Sequence, residues 1–96
     1  MAGGDLPAAR TAHTAALTIA QKLADTDPTN TGWQYDLSAS HGKLGDLAVA
    51  AGDLPAARTA YTAALTIAQK LADADPTNTE WQRVLAVALE RLENLD

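Results

Sequence analysis

Residues 4–34 return almost unchanged as residues 52–82, an offset of 48, with 28 of 31 positions identical and only His13/Tyr61, Thr26/Ala74 and Gly32/Glu80 differing. This duplication constrains the fold more than any composition does. A unit of such length is a supersecondary element that buries its apolar face against its neighbours instead of folding alone. Copy one spans about 4–48 and copy two about 52–96, and together they are expected to form a single domain over 1–96. Functional surfaces are then to be sought on stacked faces.

Each copy punctuates itself in the same way. In Gly4-Asp5-Leu6-Pro7 and Gly52-Asp53-Leu54-Pro55 an Asp caps a helix, and a Pro in the first turn gives up an amide that has no partner there. Leu6, Ala9, Ala12, Ala16, Ile19 and Leu23, matched by Leu54, Ala57, Ala60, Ala64, Ile67 and Leu71, then recur at spacings of three and four. That is the period of an amphipathic helix. Asp27-Pro28 and Asp75-Pro76 end it, because the residue before a proline is pushed out of the helical region. Thr31-Gly-Trp-Gln34 and Thr79-Glu-Trp-Gln82 have the spacing of a capping box and open a second helix, which in copy one stops at Gly52. The pattern predicts an all-α chain of four helices, about 6–25, 32–50, 54–73 and 80–95, with loops short enough to make consecutive helices antiparallel.

The net charge of −5 and pI near 4.7 argue against electrostatic capture of nucleic acid or of an anionic membrane surface. Disulfides and thiolate metal sites are excluded by the lack of cysteine. No apolar run approaches the roughly 20 residues of a membrane span, and Met1 to Asp5 has neither the basic start nor the apolar run of a secretory signal. A cytoplasmic, soluble protein is expected. Alanine fills 22 positions, phenylalanine none, and the aromatic residues are Trp33, Tyr35, Tyr61 and Trp81, so the core must come from closely approaching helices.

Chemistry-bearing constellations are weak. The only histidines, His13 and His41, have no cysteine and no helix-spaced histidine beside them, and both read as structural. Asp25/Asp27 and Asp73/Asp75 resemble paired carboxylates, yet they sit at helix ends next to proline, where solvated turn residues belong. No nucleophile has an adjacent base, and no glycine-rich phosphate loop is present. The expectation is a non-enzymatic protein with no cofactor and no metal. Thr11, Thr14 and Thr18, repeated as Thr59, Thr62 and Thr66, read as a solvated outer stripe. Trp33 and Trp81 read as packing at the entrance of the second helix, with an exposed hot spot for a partner as the alternative.

Leu44-Gly45, then Gly52, Ala57-x-x-x-Tyr61, Ala64-Leu65 and the closing Pro76 resemble the tetratricopeptide repeat, although the unit here is 48 residues long where that family has about 34. The surplus of 14 divides into about seven residues per helix, close to two turns, which moves the contact face by only about 20°. The resemblance implies antiparallel helical hairpins stacked as a short solenoid of four helices, beginning with the second helix of a hairpin and ending with the first of another. It also implies a protein or peptide partner on the face formed by the first helices of the hairpins. That face would carry Tyr35, Asp36, Ala39, Gly42 and Asp46 from one helix and Arg83, Val87, Glu90 and Asn94 from the next. With Gly42, Asp46 and Glu90 at positions where a clamp for a carboxylate needs cations, an acidic peptide tail is not expected there.

The closing helix reads as a terminal cap, since Glu93 replaces Gly45, Glu90 replaces Gly42, Arg91 replaces Lys43 and Leu89 replaces His41. Ala57 is expected against the Gly45 turn, where small residues let two backbones approach. The first and last helices lack a partner that a repeat would supply, which predicts self-association as a homodimer with Leu6, His13, Leu17, Leu89 and Leu92 near the contact. Two functional classes remain: a scaffold that binds a protein through helix faces, and an engineered or purely architectural repeat that self-associates without a ligand.

Overall fold

The computed structural model describes residues 6–95. Four helices account for most of them: α1 (Leu6–Thr26), α2 (Thr31–Ala50), α3 (Leu54–Ala74) and α4 (Thr79–Asn94), with no strand among the described residues. The expected boundaries hold to within about a residue. Asp5, the expected cap of α1, lies outside the described residues.

The stops and starts follow local chemistry. Asp53 caps α3 by accepting the Ala56 amide at 3.1 Å, and Pro55 occupies its first turn. Gly52 has φ +79°, which an L side chain rarely adopts, and its amide bonds to Val49 O at 3.0 Å while the Asp53 amide bonds to Ala48 O at 2.8 Å. These crossed bonds satisfy the last carbonyls of α2 and turn the chain within three residues. Asp75 ends α3 with φ −144° and ψ 80°, an orientation imposed by Pro76.

The capping box is corrected by one residue. Asn30 and Asn78, not Thr31 and Thr79, cap α2 and α4, accepting the amides of Trp33 at 3.0 Å and of Trp81 at 3.2 Å. The Asn side chain sits in extended backbone and holds its amide oxygen over the first turn. Gln34 and Gln82 donate instead to the carbonyls of Pro28 and Pro76, both at 3.3 Å, and so pin the loop to the helix.

Packing joins consecutive helices: α1 to α2, α2 to α3 and α3 to α4. Along the α2–α3 pair, Ala48 clusters with Ala57, Gly45 faces the Tyr61 ring, and Ser38 Oγ donates to Ala64 O at 3.2 Å. Residue numbers rise along α3 as they fall along α2, so the pair is antiparallel. The partner of Gly45 is therefore Tyr61, and Ala57 lies about one turn further on. A Cβ added to Gly45 would stand within van der Waals overlap of the ring, 2.4 Å from Cε1, so only glycine lets the aromatic side chain come this close to the backbone of α2. One core cluster holds Ala48, Ala57 and Tyr61 with Leu92 and Leu95 against it; another holds Ala20, Ala24 and Leu37 with Leu17 and Ile67.

The apolar stripe behaves differently in the two copies. In α3, Ala57, Ala64 and Leu71 are buried as expected, although Leu54 is exposed. In α1, Ala12, Ala16, Ile19 and Leu23 are exposed, and the buried residues are Ala20 and Ala24. Helix α3 is packed from both sides by α2 and α4, whereas α1 has α2 as its principal neighbour.

Candidate partner-binding groove

Because α2 and α4 both lie on α3, a groove of about 320 Å³ opens between them with Tyr61 and Ala64 at its floor. From α2 it is lined by Tyr35, Ser38, Ala39, Gly42, Lys43 and Asp46; from α4 by Arg83, Val84, Val87, Ala88 and Arg91. Tyr35 and Trp81 close one end with ring centroids 5.8 Å apart, a tilted contact of the kind aromatic pairs prefer.

At the other end Tyr61 is almost fully buried, and its hydroxyl donates to Asp46 Oδ1 at 2.5 Å, a short charge-assisted bond. Burial first, then the bond to Asp46 and its negative charge, push the Tyr61 phenol up to about 12, while the nearby Arg91 opposes the rise. The Arg91 guanidinium stands 3.6 Å from Asp46 Oδ2 and 5.9 Å from the Tyr61 ring centroid. It occupies the space beside Gly42, where an added Cβ would come within 2.9 Å of it. Both members of the ion pair are well exposed, so the pair orients the groove wall more than it stabilises the fold.

Of the nine residues expected on this face, Tyr35, Ala39, Gly42, Asp46, Arg83 and Val87 line the groove. Asp36 lines a different groove of about 310 Å³ between α1 and α2, together with Ala16, Ile19, Leu23 and Trp33. Glu90 and Asn94 are exposed outside both. The wall of α4 runs through Arg83, Val87 and Arg91, one turn apart each time, instead of veering to Glu90 and Asn94. Lys43, Arg83 and Arg91 consequently outnumber Asp46 in the lining, which reverses the expected charge of the groove and removes the argument against an acidic partner segment. The four-residue step from Val87 was readable in the sequence.

The self-association residues divide. Leu17 packs on the Ala20 cluster and Leu92 on the Tyr61 cluster, both turned inward; Leu6 and His13 are half-buried; Leu89 is exposed. The paired carboxylates have structural partners: Asp25 accepts Gln21 at 2.8 Å and Asp73 accepts Gln69 at 2.9 Å, while Asp27 and Asp75 accept the hydroxyls of Thr29 and Thr77. The exposed hydroxyls of Thr11, Thr18, Thr59 and Thr66 each bond a carbonyl one turn back in their own helix. His41 is half-buried, and desolvation holds its imidazole below the ordinary histidine range. Among the described residues no three His, Asp or Glu side chains form a group able to hold a metal ion, and no helix is long and apolar enough to cross a membrane.

Comparison with protein-family models, with curated proteins and with solved structures found no match.

Proposed function

We propose that the chain is a non-enzymatic interaction or scaffold module of tetratricopeptide-like repeats, whose α2–α4 groove takes an extended segment of a cytoplasmic protein. The observation that carries this reading is the groove itself. It offers an apolar strip of Val84, Val87 and Ala88, an aromatic end at Tyr35 and Trp81, and the cations Lys43, Arg83 and Arg91 in a chain of net charge −5. A segment with an apolar side chain next to a carboxylate complements that lining. Selection of an unbiased peptide library on immobilised protein tests it, with an Arg83→Glu/Val87→Asp variant alongside. Enrichment of apolar-acidic sequences by the parent chain alone is the expected result. Enrichment that both proteins share, or none, would remove the reading.

A second reading, an architectural or engineered repeat that associates with its own copies and has no ligand, is favoured by a separate observation. The face of α1 corresponding to the buried side of α3 is open.

A further inference from the structure

Ile19 is 61% exposed and Leu23 39%, while their counterparts Ile67 and Leu71 are packed, Leu71 to 3%. What accounts for the difference is α2, which covers α3 along Gly45, Ser38 and Leu37 and has no equivalent on α1 among the described residues. Among the described residues one other helix stands in the register of α2: α4, 48 residues further on. We infer that α4 of a second copy seats on the open face of α1 as α2 seats on α3, joining copies head to tail.

Four internal contacts acquire complementary partners at this junction. An internal contact becomes a junction contact when 48 is added to its α2 residue and subtracted from its partner. Gly45 against Tyr61 then becomes Glu93 of the second copy against His13. Beside Tyr61 not even a Cβ fits; beside the smaller imidazole a longer side chain does, and its carboxylate can accept the ring N–H. Within α1 and α3 the only positions that differ are this one and Thr26/Ala74, so the single change away from the helix end lies opposite the glycine that α4 has lost.

The neighbouring pairs are complementary as well. Gly42 beside Arg91 becomes Glu90 beside Lys43, an ion pair in place of a glycine-guanidinium contact. Tyr35 on Trp81 becomes Arg83 on Trp33, a cation on an indole face. Leu37 near Ile67 becomes Leu85 near Ile19, which covers the most exposed large apolar side chain of α1. Ala86, Leu89 and Glu93 are all exposed and spaced three and four apart, so they present one face of α4 to the incoming copy. Two internal interactions have no counterpart: Ser38 becomes Ala86 and its bond to Ala64 O is lost, and the Arg91–Asp46 ion pair becomes Lys43 with the uncharged Asn94. The acidic residues stand on α4 and their partners His13 and Lys43 on the other copy, so the local attraction runs against the net repulsion of two chains of charge −5.

A contact of this kind is heterologous and leaves one α1 face and one α4 face free after each addition. A pair of copies forms first, and the average mass continues to rise with concentration. Arg83 and Lys43 serve both this junction and the α2–α4 groove, whereas His13 and Glu93 lie outside the groove lining, so variants at His13 and Glu93 separate this proposal from the peptide-binding reading. Sedimentation of the chain and of His13→Tyr, Glu93→Gly and the double variant tests it, with melts of dilute protein to establish that each variant folds. The parent chain is expected to associate, and His13→Tyr to weaken association about tenfold or more because the phenol ring meets the Glu93 side chain. The double variant, which recreates the Gly45–Tyr61 pair, is expected to recover the loss. A parent chain that stays monomeric at all concentrations overturns the proposal, as does a double variant no tighter than His13→Tyr alone.

Discussion

Helices α1 and α3 carry the same sequence apart from His13/Tyr61 and Thr26/Ala74, yet one is a rim and the other a core. Ala64 and Leu71 are buried in α3, while Ala16 and Leu23 stand open in α1. The amphipathic period decides that each becomes a helix with an apolar stripe. What the stripe is worth depends on how many neighbours reach it, because hydrophobic stabilisation counts only area removed from water. The two helices thus form an internal control in which the local sequence is held fixed and the environment changes.

The largest separation is expected at the one core position where they differ. Tyr61→Ala removes a buried ring that fills the space over Gly45 and bonds Asp46, and a loss of about 3–5 kcal/mol is expected. His13→Ala, at the half-buried counterpart, should cost less than about 1 kcal/mol. Urea midpoints in dilute protein decide this, and comparable losses would mean that α1 is covered in solution.

A smaller contrast uses identical residues. Leu71→Ala should cost about 2–4 kcal/mol and Leu23→Ala under about 1 kcal/mol, since 3% of one side chain and 39% of the other remains in water. Repeating the Leu23→Ala melt at high protein concentration sharpens the comparison. Its cost should grow there if a second copy covers the helix.

The smallest effect is alkaline and belongs to copy two alone. The fold favours the neutral Tyr61 phenol, holding it near 12 against about 10 in the unfolded chain. Its contribution is complete below about pH 10 and is lost as the pH rises through about 12, by about 3 kcal/mol at most. Tyr61→Phe should flatten that part of the stability profile. An unchanged alkaline slope in the variant would assign the loss to other groups.

Helix positions were legible because their signals are local: Asp53 before Pro55, Gly52 at a positive φ, and a proline after each long helix. The capping residue was displaced by one because Asn30 and Thr31 are both good caps, and only backbone geometry shows which side chain reaches the Trp33 amide. Tyr35, Ala39, Gly42, Asp46, Arg83 and Val87 were legible as one face, and Arg91 was readable as the four-residue step beyond Val87, although its contact beside Gly42 comes from packing and not from spacing. The exposure of Ile19 was legible from helix order alone, as part of the uncovered face of the first helix, and not from its local sequence. Its sequence surroundings are those of Ile67, and burial there comes from a helix elsewhere in the chain.

The glycines that admit Tyr61 and Arg91 also bear on how the chain folds. Helix α2 contains Gly32, Gly42 and Gly45 where α4 has Glu80, Glu90 and Glu93. Each interior glycine disfavours the helical state by about 0.5–1 kcal/mol relative to alanine. Released from its neighbours, α2 is therefore the segment most inclined to melt, whereas α4 has the composition to stay wound. Yet α2 is the helix that joins α1 to α3. Placing the weakest helix former at the centre couples order in the flanking helices to one docking event, so opening of α2 is tantamount to global unfolding, while α4 can detach as an intact helix at lower cost.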